Sequence, residues 1–458
     1  MRLKNILKAI FIIICATFCA CKKSDFLNAK PNLNLNVPVA LSDFQSLLDN
    51  DDIINQTPGL GDMSSDNYYY SYPDWQSQTI VPQNCYIWAK DIFEGTGNNF
   101  DWDISYQQVL VANVVLDGLG KMNTAGLDIN TFNNIKGEAL FIRANAFFNL
   151  AQLFAPPYDS ATAKTDLGIP IRLSADVSNI DSRSSVDATY SQIVNDLTNA
   201  KKIITQLAPT ANINRPVKAS VYALLSRALM SMREYRAAGE NADSSLQLYP
   251  TLIDYNTLNA LSRVCFSRTN AETTFQSNQV SIYPLKGTSG IAQIDTVLYN
   301  SYDSTDLRKY VFYRINGLGK TVLKGTYNGS YALFSGLATN EMYLNRSECE
   351  ARSGNVQTAM DDLNFLLSKR YLTGTYIPFS ASTPTDAIAL ILKERRKELP
   401  FNSVRWSDLR RLNKEGAGIV LSRQLNNQSY TLAPKDNRYT LPIPPDEITI
   451  SGIQQNPR

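Results

Sequence analysis

Between residues 57 and 106, aromatic rings alternate with amides and carboxylates. Tyr68, Tyr69, Tyr70, Tyr72, Trp75, Tyr86, Trp88, Phe93, Trp102 and Tyr106 stand among Asp62, Asp66, Asn67, Asp74, Gln76 and Asn84. An aromatic face packs against the C–H face of a sugar ring, and neighbouring amides and carboxylates satisfy its hydroxyls. The residues best suited to that chemistry are Asn67, Tyr69, Tyr70, Tyr72, Trp75 and Trp88. The same composition can instead fill a second small core under long loops, and the spacing does not decide between the two. Asp62, Asp66 and Asp74 also supply the raw material for a carboxylate-pair glycosidase.

Histidine is absent from the 458 residues. That removes the commonest general base, every Ser-His or Cys-His pair and every imidazole zinc site, and it argues against an enzyme. The chain holds 44 basic and 42 acidic residues. The first twenty contain Arg2, Lys4 and Lys8 and no acid, so the remainder carries 41 against 42, a net charge of −1. A nucleic-acid binder needs a strong basic excess, so no nucleic-acid partner is expected. Cys85, Cys265 and Cys349 are odd in number, fit no metal spacing and read as free thiols. The acidic run Asp49-Asn50-Asp51-Asp52 lacks the glycine and distal glutamate of a calcium loop. No metal site and no cofactor is expected, although Ca²⁺ is not excluded. Asn316-Gly317-Leu318-Gly319-Lys320-Thr321 imitates the end of a phosphate loop, but the motif's first glycine would fall at Arg314, and the motif fails.

The elements that must position these groups are organised around Glu394–Leu412. This segment packs five arginines, Lys397, three acids and Trp406 into nineteen positions. Asp386 to Glu398 has helical apolar spacing, and Pro400 stops that helix. The interleaved acids favour a structural clamp over an anion or nucleic-acid site. In that clamp Arg395, Arg396, Arg405 and Arg410 pair with Glu394, Glu398 and Asp408 and stack on Trp406. Strong helical patterns also run from Trp102 to Leu119 and from Thr131 to Phe154, with a short helix at Leu41 to Leu48. Lys218 to Leu248 reads as a helix pair. Glu341 to Leu367 repeats it 121 residues later, with Tyr222 matching Tyr343, Ala238 matching Ala359 and Leu246 matching Leu367. Small residues at fixed places in paired helices are the tetratricopeptide pattern. Residues 250–336 change to β-branched and aromatic residues with Gly and Ser, which predicts short strands and loops, as at Gln279 to Leu285 and Tyr310 to Leu323.

Residues 1–20 combine a basic start with an apolar run from Ala9 to Ala20, the pattern of a secretory signal. The run is too short to span a bilayer comfortably. It closes as Phe18-Cys19-Ala20-Cys21, which resembles a bacterial lipobox with Cys21 as the lipidated residue. Several acyl chains on one cysteine would anchor the protein stably. Residues 21–40 then read as an extended tether.

The Glu394–Leu412 segment also resembles the C-terminal signature of the SusD/RagB family of Bacteroidetes outer-membrane lipoproteins. The matching residues are Glu394-Arg395-Arg396, Glu398-Leu399, Arg405-Trp406, Asp408-Leu409 and Arg410-Arg411. The family's usual Ala-Phe-Glu-Gly is Pro400-Phe401-Asn402-Ser403 here. Gly137-Glu138-Ala139-Leu140, Arg143-Ala144 and Phe147-Phe148-Asn149-Leu150 resemble a second signature. Leu167-Gly168-Ile169-Pro170 and the closing Leu441-Pro442-Ile443-Pro444-Pro445 extend the likeness. The resemblance implies a mainly α fold, a tetratricopeptide-like helix-pair scaffold with an inserted loop- and short-strand-rich lobe. It places an aromatic ligand lobe at 57–100, helical scaffold at 102–250 and 337–412, an insert at 250–336 and a closing segment at 413–458. It implies a non-enzymatic, lipid-anchored surface protein of the outer membrane. Such a protein captures oligosaccharide, or sometimes peptide, for a partner TonB-dependent transporter of the SusC type.

Overall fold

Where apolar residues recur at helical spacing the chain is helical, and its long helices stack in chain order. The computed structural model describes residues 38–96, 100–280 and 282–458. The leader expected over residues 1–20, Cys21 with its lipid, and the tether up to residue 37 lie outside the described residues. Leu41–Arg458 form one compact unit. Its principal helices are α1 (Leu41–Leu48), α2 (Tyr72–Gln76), α3 (Phe100–Lys121), α4 (Ile129–Phe154), α5 (Val186–Ile203), α6 (Lys218–Met232) and α7 (Tyr235–Leu248). The series continues with α8 (Thr339–Arg352), α9 (Val356–Ser368), α10 (Pro384–Glu398), α11 (Arg405–Lys414) and α12 (Pro445–Ser451). The strands are two to five residues long and pair two by two.

α4 is the central helix. Asp128 caps it by accepting from the Asn130 N–H, and it ends at Ala155, before Pro156 and Pro157. Phe141, Ala144, Phe147, Leu150 and Phe154 are wholly buried, because both α3 and α5 pack on α4. α5 packs on α6, and α6 on α7. The chain then leaves the stack for residues 249–338 and returns as α8, which packs on α7, α9 and α10. The stack is therefore continuous in space although the sequence interrupts it. Close approach at the junction needs small residues: a Cβ on Gly239 would stand 2.8 Å from the Cβ of Cys349, and Ala238 and Ala242 are fully buried. Each helix pair covers its apolar face only against the next, as in tetratricopeptide arrays.

The insert is built from short ladders over an aromatic core. β1 (Tyr68–Tyr69) pairs antiparallel with β2 (Gln293–Ile294), and β3 (Tyr313–Ile315) with β4 (Thr321–Leu323). Phe266 packs on Tyr255, Phe312 and Tyr327, with ring centroids 4.7–5.7 Å apart. Two stretches expected to be strand are partly helical. Tyr283–Leu285 is a 3₁₀ turn, where Pro284 cannot donate to a ladder, and Arg308–Phe312 is a short helix.

The Glu394–Leu412 segment joins all of these parts. Arg395 pairs with Asp408 at 2.7 Å, and Arg411 pairs with Asp408 at 3.0 Å and Glu348 at 2.7 Å, which ties α10 and α11 to α8. Arg405 and Arg396 both reach Asp66, at 2.7 and 3.2 Å, and so hold the aromatic stretch. Arg410 donates to the Ala151 and Ala155 carbonyls at the C-terminal end of α4, where the helix dipole favours a cation. The partners differ from the sequence expectation: of Arg395, Arg396, Arg405 and Arg410 only Arg395 pairs with an acid of the segment, because Asp66 and the end of α4 draw the other three. Glu394 and Glu398 take their principal partners from outside the segment. Arg308 reaches Glu394 at 2.5 Å and Glu398 at 3.2 Å, and Arg370 reaches Glu398 at 2.8 Å, all with wholly or nearly wholly buried side chains. Trp406 stacks on Tyr439, centroids 5.0 Å apart, rather than under a guanidinium, because the neighbouring arginines are drawn to carboxylates and carbonyls.

The segment's turn is strained. Pro400 ends α10, and Phe401 and Ser403 follow with φ of 58° and 62°. Buried partners hold them: the Ser403 N–H donates to Asp62 at 2.9 Å, and Gln279 donates to the Phe401 carbonyl at 2.7 Å. With burial dominant, the Asp62 carboxyl is pushed up to about 6, the hydrogen bonds from Ser403 and Gln279 opposing.

Candidate functional site

The six aromatic and amide residues singled out from sequence divide into two groups, and backbone alternation decides the division. From Tyr68 to Tyr70 the side chains point alternately inward and outward. Tyr68 and Tyr70 are buried and Tyr69 is half-buried, its hydroxyl donating to Gln293 Oε1 at 3.1 Å. Tyr70 packs on Tyr86 with centroids 4.7 Å apart. Trp88 is also buried, its indole N–H donating to the Ser64 carbonyl at 2.9 Å. A guanidinium fills the box between these rings. Arg423, from the C-terminal hairpin Leu421–Leu432, lies 4.5 Å from the Tyr86 centroid, 5.2 Å from Trp88 and 5.4 Å from Tyr68, and donates to the Ser65 carbonyl. Asn67 is closed off as well. Asn67, Tyr70 and Trp88 are thus core residues, a correction to their assignment as ligand contacts: burying the Tyr70 and Trp88 rings removes apolar area that an open loop would leave in water, and Asn67 is drawn in with them where its carbonyl accepts from the Asp295 N–H.

Tyr72 and Trp75 face the surface. Ser71 caps α2 by accepting from the Asp74 N–H, and Pro73 sits in its first turn. The i, i+3 spacing brings Tyr72 and Trp75 together on one helix face, with ring centroids 5.9 Å apart and planes 26° from parallel. Tyr72 is 38% exposed. Trp75 is half-buried and fixed in direction by its N–H, which donates to the Gln83 carbonyl at 3.0 Å. Polar groups rim the pair: Gln76 donates to the Tyr72 hydroxyl at 3.1 Å, and Lys320 donates to Asp74 at 2.6 Å. Lys320 comes from the tip between β3 and β4. The same tip approaches Gly290, where a Cβ would stand 3.3 Å from Asn316 Nδ2. Against the penalty of partial burial, Lys320 and Ser71 hold the Asp74 carboxyl below its ordinary value.

Sequence reading missed Lys320, Asn316 and Gln293 at this rim. The first two lie in the stretch that imitates a phosphate loop, and only the β1–β2 and β3–β4 pairings bring them beside α2. Clefts of about 330 and 450 Å³ occur elsewhere and share no lining residue with the Tyr72–Trp75 platform. A flat ligand that stacks on paired rings does not need a deep cavity, so the platform remains the better match to the chemistry.

The carboxylates of the aromatic stretch are already engaged. Asp62 accepts from Ser403 and Gln279 and is fully buried. Burial would raise the Asp66 carboxyl, but Arg405, Arg396 and Arg423 outweigh it and hold it well below the usual range. Asp74 is paired with Lys320. Among the described residues no group of three or more His, Cys, Asp or Glu is arranged to hold a metal ion. Cys85 and Cys349 are buried free thiols and Cys265 is half-buried.

Comparison with known proteins places the fold. Residues 25–230 match a family model described as starch-binding associating with outer membrane, and residues 339–458 match the SusD family model. SusD-like protein P2 of Formosa agariphila is 23% identical over 421 residues, covering 78% of this chain and 79% of that protein. A SusD superfamily crystal structure from Bacteroides thetaiotaomicron superposes with a TM-score of 0.72 at 24% identity, covering 92% of this chain and all of that one. Surface glycan-binding protein A from Bacteroides fluxus gives 0.69 at 17% identity, covering 92% and 100%. At these identities the structural likenesses speak to fold alone. With two models of one family matching both halves of a mainly α, tetratricopeptide-like scaffold, the chain belongs to the SusD/RagB family.

Proposed function

We propose that the chain is a cell-surface binding protein of the outer membrane that captures oligosaccharide on the Tyr72–Trp75 platform. It hands the ligand to a SusC-type TonB-dependent transporter and catalyses no reaction. The observation that carries this reading is the near-parallel, surface-facing ring pair with amide, hydroxyl, carboxylate and ammonium groups around it. The starch-binding description of one family model and the name of surface glycan-binding protein A favour the same ligand class. Tyr69 and Gln293 would extend the polar rim. The lipobox-like Cys19-Ala20-Cys21 supports anchoring through lipid on Cys21, and the helical stack is the natural surface to rest on a transporter, with the platform facing the ligand.

A glycosidase reading has little to stand on, since Asp62, Asp66 and Asp74 are buried or paired and leave no free carboxylate couple in the aromatic stretch. Electrophoresis of residues 22–458 through gels cast with individual polysaccharides tests the capture step. Retardation by one glycan, with no release of reducing ends, supports it. Retardation by none, or hydrolysis of the retarding glycan, overturns it.

A further inference from the structure

A separate cleft of about 330 Å³ lies between α3, the segment Ile171–Val177 and α12. Its volume is near the lower end of the range of about 300–1,000 Å³ for small-molecule sites, room for one or two sugar rings and not for a chain. The walls are pre-set. Tyr106 donates to the Pro170 carbonyl at 2.9 Å, and Asn113 donates to the Arg172 and Ser174 carbonyls at 3.0 and 3.1 Å. Asn113 is itself oriented by Arg143, which is paired with Asp196 at 2.8 Å. On the opposite side Trp102 donates to Glu447 Oε2 at 3.2 Å and fixes that carboxylate.

Two polar groups in the cleft are left short of partners. Arg172 Nη2 and Glu447 Oε1 face each other at 3.7 Å, too far for a hydrogen bond, and neither Glu447 Oε1 nor Arg172 Nε has a hydrogen-bond partner. Arg172 lies over Tyr106, its Cζ 5.2 Å from the ring centroid. Vicinal hydroxyls suit such an opposed pair, one donating to the carboxylate and its neighbour accepting from the guanidinium. Apolar edges for a C–H face come from Tyr106, Val109 and Leu110, with Val177 exposed at the rim. The local charge is negative. Asp103, Asp176 and Glu447 line the cleft against Arg172 alone, and burial together with Asp446 and Glu447 raises the Asp103 carboxyl.

We propose that this cleft is a second saccharide site, separate from the Tyr72–Trp75 platform, that takes one neutral hexose unit against the Arg172–Glu447 pair. The proposal does not depend on the platform. The excess of carboxylates makes the site reject uronates and sulfated sugars. So small a ligand binds weakly, in the millimolar range.

Trp102 lines the cleft, so its fluorescence reports occupancy. Residues 22–458 and the Trp75→Phe variant are titrated with glucose, galactose, mannose and glucuronate. At least one neutral hexose is expected to saturate both proteins alike, with glucuronate silent. Arg172→Met and Glu447→Leu should each weaken binding at least ~10-fold. Because either change could disturb folding, Val177→Trp serves as an independent block: it fills the rim from an exposed position and should abolish the signal with an unchanged melting temperature. The proposal is overturned if no neutral hexose saturates up to about 100 mM. It also fails if Val177→Trp binds normally, if glucuronate binds as well as the hexose, or if Trp75→Phe alone removes the signal.

Discussion

Trp75 and Trp88 sit in one aromatic stretch and have opposite roles. Trp88 is closed over by Arg423 and donates to Ser64, whereas Trp75 lies beside Tyr72 at the surface. Trp88→Ala should destabilise the fold by about 3–5 kcal/mol, seen in the denaturation midpoint, and leave glycan affinity of the folded fraction unchanged. Trp75→Ala should do the reverse. Ser403 occupies the place where the family's usual sequence has glycine, with φ of 62°. Ser403→Gly relieves that strain and should stabilise by ~0.5–1 kcal/mol, read by chemical denaturation. Glu138 makes a pH-dependent contribution, in the same direction as that of Asp62. It is buried on α4, its Oε1 has no partner, and burial pushes its carboxyl up to about 7 against the hydrogen bond from Gln45 and the charge of Arg215. Between its unfolded value and about 7 the folded state binds the extra proton, so this group makes stability fall as pH rises through that window. Glu138→Gln should therefore match the parent near pH 4 and exceed it by roughly 2 kcal/mol at pH 8. Equal stability of the two proteins at pH 8 would contradict the assignment.

At the scale of elements, the periodic helices were legible in the sequence. Spacing predicted Thr131–Phe154 and Trp102–Leu119, and the structure extends each by only a few residues, to Ile129–Phe154 and Phe100–Lys121. The platform was half legible. Composition pointed to the correct stretch, but in a chain that turns every few residues only the final pairings say which rings face inward. Apart from the local Asp306–Arg308 pair, Arg308 and Arg370 left no sequence signal, since Arg308 meets Glu394 and Glu398 across 86 and 90 residues and Arg370 meets Glu398 and Glu272 across 28 and 98. The result is a wholly buried network in which Arg308 joins Asp306, Glu394 and Glu398, and Arg370 joins Glu272 and Glu398. Removing one partner strands the others without water. Arg308→Met should cost about 3–5 kcal/mol and, because it detaches the insert from α10, should broaden the unfolding transition. A loss below 1 kcal/mol would mean the network is not what joins the two parts.

At the scale of the molecule, the helix stack is continuous across the 249–338 excursion, and the excursion returns through β2 and the β3–β4 hairpin to rim α2. The Arg396 and Arg405 contacts to Asp66 fix the loop-built face on this helical body, the arrangement the proposed capture and hand-over would need. The central claim, capture of glycan on paired rings, is tested most directly by titrating residues 22–458 with a panel of polysaccharides and following tryptophan fluorescence. The account predicts that one glycan quenches the emission saturably, and that Trp75→Ala, melting as the parent does, weakens that glycan at least ~10-fold when binding is measured by calorimetry. Full affinity in Trp75→Ala, or silence across the whole panel, would contradict it.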